Sequence, residues 1–70
     1  MNTNKPLYEK IVIYLKEKIS NGDLKVNDKL PTELELAEKF GVSRITSKRA
    51  LEELRGMGLI YRIRGSGSYV

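Results

Sequence analysis

Seventy residues with 13 Lys and Arg against nine Asp and Glu make one small domain of net charge +4, able to bury only about 60% of its unfolded surface. Having neither cysteine nor histidine, the chain cannot form disulfides, is not expected to hold zinc or another cofactor, and lacks the commonest catalytic bases and nucleophiles. No apolar run nears membrane-spanning length and MNTNKPLYEK has no signal-peptide core, so a soluble, cytoplasmic protein without a membrane partner is expected.

Residues 1–5 are polar and are expected to be disordered, as chain ends usually are. Pro6 suits the first turn of a helix. Leu7, Tyr8, Ile11, Val12, Leu15 and Ile19 then recur every three or four residues, an amphipathic face that Asn21-Gly22 ends. Nothing in this first helix carries chemistry, and it reads as scaffold. The connector from Gly22 to Pro31 holds two expected apolar anchors, Leu24 and Val26. Asn27 tolerates positive φ at its turn, and Lys29-Leu30 is expected to form a very short strand before Pro31.

Thr32 and Glu35 have the T-x-x-E spacing of a capping box, a fairly specific start for a second helix with Leu36, Ala37 and Phe40 inside and Leu34 outside. Gly41 can end that helix and Ser43 can cap the next, leaving a two-residue turn. The third helix, residues 43–55, places Ser47, Ala50, Leu51 and Leu54 inward. Arg44, Lys48 and Arg55 share a neighbouring stripe, with Ile45, Arg49 and Glu52 beside them. The Ser47 hydroxyl can bond back to the Ser43 carbonyl. Met57, between Gly56 and Gly58, is placed to pack on the core. Leu59 to Ile63, a Gly65-Ser66-Gly67 turn and Ser68 to Val70 read as a hairpin with Arg62 and Arg64 at or near its tip.

This is the pattern of a helix-turn-helix followed by a wing: a mainly α fold of three helices with a small antiparallel β-sheet. On the third helix alone, an ordinary surface helix with solvated charges is an equal reading. Charge placement separates the two. Residues 1–42 hold seven Lys and seven acids, whereas residues 43–70 hold all five Arg and one Lys against two Glu. Arginine's planar fork matches guanine edges and phosphates, so this segregation points to an anionic partner, double-stranded DNA. A neutral third-helix face would have favoured a protein-binding winged helix instead. The glycine turn lacks the spacing of a nucleotide-binding loop. The paired carboxylates have structural roles: Glu33 and Glu35 at a helix start, Glu52 against Lys48 or Arg49, Glu53 against Arg49. No enzyme is expected.

PLYEKI, LPTELELAEKFGVSR, RALEEL and GLIYRIRGSGSYV occur in order over residues 6–70, and together the chain resembles the N-terminal winged-helix domain of GntR-family bacterial transcription regulators. That resemblance implies a third helix in the major groove and a wing, residues 59–70, at the minor groove of a palindromic operator. By position it implies guanine readout for Arg44 and a base or backbone contact for Lys48. Ser43, Thr46 and Thr32 match residues facing phosphate, and Gly65 matches the wing-tip glycine. The expected DNA-binding set is Thr32, Ser43, Arg44, Ile45, Thr46, Lys48, Arg49, Arg62, Arg64, Gly65, Ser66 and Gly67. Two residues depart from the family pattern: Leu34 stands where arginine is usual, and Ile45 replaces a frequent threonine and can pack on a thymine methyl. The resemblance further implies a metabolite-responsive repressor, dimeric through an effector-binding domain absent from this chain, with a sugar-binding type favoured and a small-acid or amino-sugar sensor as the alternative. The domain alone is expected to be monomeric.

Overall fold

A computed structural model describes residues 6–70 of the chain; the expectation of a disordered start at residues 1–5 lies outside the described residues. The elements follow in order: α1 (Leu7–Ser20), α2 (Glu33–Phe40), α3 (Arg44–Gly56), β1 (Tyr61–Ile63) and β2 (Gly67–Tyr69). The three helices and the two-stranded antiparallel sheet match the fold expected from the sequence pattern.

α1 forms because its apolar residues repeat at helical spacing, and it buries Ile11, Val12 and Leu15. Pro6 precedes the helix as its cap instead of forming its first turn. At the other end Gly22, at φ +89°, lets the chain reverse so that the Leu24 amide donates to the Lys18 carbonyl at 3.0 Å. Asn27 holds the positive φ expected of it, +73°. Two connector expectations change. Val26 is 76% exposed, because the turn at Asn27 leaves it outside, and only Leu24 packs against the core. Lys29 is a single bridge to Tyr69 rather than a strand, with the Leu30 amide donating to the Ser68 carbonyl at 2.8 Å.

α2 starts on the full capping box: the Thr32 hydroxyl accepts from the Glu35 amide at 3.1 Å, and the Glu35 carboxylate accepts from the Thr32 amide at 2.8 Å. Gly41 at φ +66° ends it. A left-handed residue here turns the chain within one step, so α3 begins almost at once with Ser43 accepting from the Thr46 amide. Replacing Thr32 by Ala should lower unfolding stability by about 1 kcal/mol, and by Ser much less. Denaturant titration checks this; equal midpoints for wild type and Thr32→Ala would mean the box does not hold the helix.

The core lies between the helices and under the wing: Ile11, Leu15, Leu30, Leu36, Ala50, Leu51, Leu54 and Ile60 are buried. Tyr14 meets Phe40 edge-on at 5.3 Å between ring centroids. Leu7 and Met57, expected inside, are about half exposed. The first turn of α1 seats Tyr8 on the core in place of Leu7. Past α3, Gly58 at φ +78° redirects the chain so that Leu59 and Ile60 turn inward and Met57 stays outside. Ser47 is buried, and its hydroxyl donates to the Ser43 carbonyl at 3.5 Å, the back-bond expected of it.

Candidate nucleic-acid interface

α3 is presented by its short turn and by the packing of Ala50, Leu51 and Leu54 beneath it, which leaves Arg44, Ile45 and Lys48 on the outer face. Ile45 is 80% exposed. At the start of the helix the Ser43 and Thr46 hydroxyls lie 3.0 Å apart and share a hydrogen bond. That bond uses one of their two protons, so the other remains free to donate outward beside the Arg44 and Ile45 amides, which have no acceptor within the helix. Thr32 and Leu34, at the start of α2, border the same shallow notch of about 220 Å³ as Arg44, Arg62 and Gly67.

The wing is a ribbon in the register Tyr61↔Tyr69, Arg62↔Ser68, Ile63↔Gly67. Side chains alternate across a strand, and here Ser68 is buried while the Tyr61 and Tyr69 rings stack together at 5.6 Å. The Tyr61 hydroxyl donates to Asn27 Oδ1 at 2.8 Å, and the Ser66 and Tyr69 hydroxyls are hydrogen-bonded. Arg64, Gly65 and Ser66 form the exposed tip. Gly67 favours glycine for a reason internal to the protein: its φ of +146° is a backbone conformation that L side chains rarely adopt, while the nearest atom to a Cβ there, Lys29 Cε at 2.9 Å, lies on a flexible side chain that can move aside.

Two basic residues of the expected set have intramolecular partners that the sequence did not disclose. Arg49 lies over the Tyr8 ring, its guanidinium carbon 4.3 Å from the centroid, and so joins α3 to α1. Arg62 does not stand free near the tip: its guanidinium donates to Glu33 at 3.0 Å and to Glu52 at 3.1 Å. Glu52 accordingly pairs with Arg62 and Arg55, not with Lys48 or Arg49 as expected, because the folded wing brings Arg62 across α3. Glu53 likewise has no ion pair with Arg49 among the described residues. The hydrogen bond from Arg55 is the main cause holding the Glu52 carboxyl below its ordinary value; desolvation opposes it and Arg62 lowers it further. A depressed carboxyl pKa means the stabilisation is complete above the ordinary value and is lost as pH falls through the lowered one, so the link is intact at neutral pH.

With those pairs made, Arg44, Lys48 and Arg64 have no acidic partner within ion-pair distance among the described residues. The positive charge left without an acidic partner in this part of the chain thus sits on the outer face of α3, at the wing tip and on Arg49, which lies against Tyr8.

A basic helix behind a tight turn, flanked by a two-stranded wing, defines a winged helix-turn-helix domain, a class that binds double-stranded DNA. The model of the bacterial regulatory proteins of the gntR family matches residues 7–70, and the chain belongs to that family. It is 46% identical to the HTH-type transcriptional repressor NagR of Bacillus subtilis (strain 168), an alignment covering 100% of this chain and 30% of that repressor. It is also 46% identical to the mannosyl-D-glycerate transport/metabolism system repressor MngR of Escherichia coli (strain K12), over 96% of this chain and 28% of that protein. The chain therefore spans about 30% of the length of such curated relatives. Among solved structures, the DNA-binding domain of AraR in complex with operator ORR3 superposes with a TM-score of 0.94 at 34% identity, covering 100% of this chain and 84% of that one. A GntR family transcriptional regulator from Listeria monocytogenes superposes with a TM-score of 0.90 at 38% identity, over 100% of this chain and 61% of that one. No described helix is long and apolar enough to cross a membrane.

Proposed function

We propose that this chain is the operator-reading part of a metabolite-responsive bacterial transcription repressor, acting in the cytoplasm, with α3 in the major groove and the wing at the minor groove. The observation that carries the reading is the alignment of the unpaired cations Arg44 and Lys48 with exposed Ile45 on α3, and of Arg64 at the wing tip. The AraR domain bound to its operator, a close structural likeness, supports the same docking.

In this reading the fork of Arg44 meets the O6 and N7 acceptors of a guanine, and Ile45 packs on a thymine methyl. Lys48, one turn further along, takes a base edge or phosphate. The free proton of the Ser43–Thr46 pair, the first-turn amides of α3 and the Thr32 start of α2 face phosphates. Arg64, Gly65, Ser66 and Gly67 follow the minor groove, where backbone and shape are read more than bases. Arg49 serves the interface indirectly, by holding α3 on α1 through Tyr8.

Salt tests the reading directly. With Arg44, Lys48 and Arg64 as the neutralising groups, log K against log salt should fall with a slope of about −2.7. The titration uses a duplex selected by this chain from a random pool. A flat response would remove DNA from consideration and leave a protein-binding winged helix in its place.

A further inference from the structure

We propose that Arg62 is a positioning residue that sets the angle of the wing against α3, and is not itself a DNA contact. The inference rests on the DNA-binding reading above. β1 and β2 have three residues each, and a two-stranded ribbon of that length is not stable alone. Something must hold each strand to the helices. β2 is held along its backbone: the Leu30 amide donates to the Ser68 carbonyl at 2.8 Å and the Val70 amide to the Asp28 carbonyl at 2.9 Å. β1 is the outer strand of this pair and has no second backbone partner among the described residues. Its side-chain ties are Tyr61 to Asn27 and the fork of Arg62, which reaches α2 at Glu33 and α3 at Glu52.

The fork is suited to this work. One planar guanidinium meets two carboxylates on two helices at 3.0 and 3.1 Å, and an ammonium cannot reproduce that geometry. The Arg62 and Glu33 side chains keep only 30% and 22% of their exposure, so the link is partly shielded from solvent on the Glu33 side. Glu52 is in turn braced by Arg55, which donates to its other oxygen through Nε and Nη2 at 3.1 and 2.9 Å. The chain Glu33–Arg62–Glu52–Arg55 thus ties the wing to both helices of the helix-turn-helix. Arg64 leaves the ribbon two residues further on, so the clamp settles in advance where the tip meets the groove, and ordering it costs nothing on binding.

The test separates a clamp from a phosphate contact by the sign of an effect. Glu33→Gln and Glu52→Gln each remove one negative charge, so simple electrostatics makes each bind the selected duplex more tightly. A clamp predicts weaker binding, roughly two- to fivefold, because each variant frees β1. Arg62→Ala should weaken binding to a similar extent with an unchanged salt slope, whereas loss of a phosphate contact would flatten the slope by about 0.9. Arg62→Lys, which keeps the charge but not the fork, should behave like the alanine variant. In the free protein, amide relaxation should show residues 63–66 loosened in all four variants while α1 to α3 keep their spectrum, which also controls for folding. Tighter binding by either carboxamide variant, a flatter slope for Arg62→Ala, near-wild-type binding by Arg62→Lys, or unchanged wing relaxation would overturn the proposal. Failure of the DNA reading is distinct: Arg44→Ala would then bind like wild type in the same titration, while wing relaxation still reports on the clamp.

Discussion

Joining two copies of this chain by a flexible linker long enough to span two half-sites should strengthen binding to a palindromic duplex by roughly 10²–10⁴-fold. No new contact is needed. Once one copy is bound, the linker holds the second at an effective concentration of about millimolar, provided it can reach. The premise is that the chain alone is a monomer that occupies one half-site weakly. Apart from Ala37, its buried apolar residues among those described all belong to one core cluster. The apolar side chains left exposed near α1 do not form an uninterrupted surface: Ile13 and Met57 share a shallow cavity of about 280 Å³ with Lys16, Glu9 and Glu53. Sedimentation of the free chain, then titration of single and paired half-sites, checks each step. A tight dimer without DNA, or full-strength binding to one half-site, would refute this account.

Arg44→Ala should weaken binding to the selected duplex by about 1–3 kcal/mol, up to about 150-fold, and blur the preference at one base pair. The size comes from losing a two-pronged hydrogen bond to a base edge while leaving that edge without a partner. Arg64→Ala should act differently, lowering affinity for selected and random duplexes alike, because a wing-tip contact reads backbone and groove shape. The contrast is measured by titrating both variants on both kinds of DNA. If the two substitutions lower specific and random binding in equal proportion, the roles given to α3 and the wing are wrong.

Much of this arrangement is legible in the linear order of residues, and the parts that are share one property: their causes lie within a turn or two of chain. The Thr32–Glu35 box, the left-handed Gly41, the positive φ of Asn27 and the Ser47 back-bond are all of this kind. So is the outward stripe of Arg44, Ile45 and Lys48, which helical period alone aims away from Ala50, Leu51 and Leu54. Periodicity was less informative at element ends, where Leu7 and Met57 fit the inward pattern but have too little neighbouring structure to cover them.

Caps, turns and apolar spacing act locally, so the linear order of residues already carries three helices, a wing and a basic outer face. Which charges are spent inside the molecule depends instead on the packed fold. Arg62 meets Glu33 across 29 residues and Glu52 across ten; Arg49 meets Tyr8 on α1. In the sequence those arginines are indistinguishable from Arg44 and Arg64, since a charge carries no mark of the partner it will find. Packing the wing against α2 and α3 removes Arg62 from the free set and leaves Arg44, Lys48 and Arg64 without an acidic partner among the described residues, because ion pairing depends on distances that only the folded chain sets.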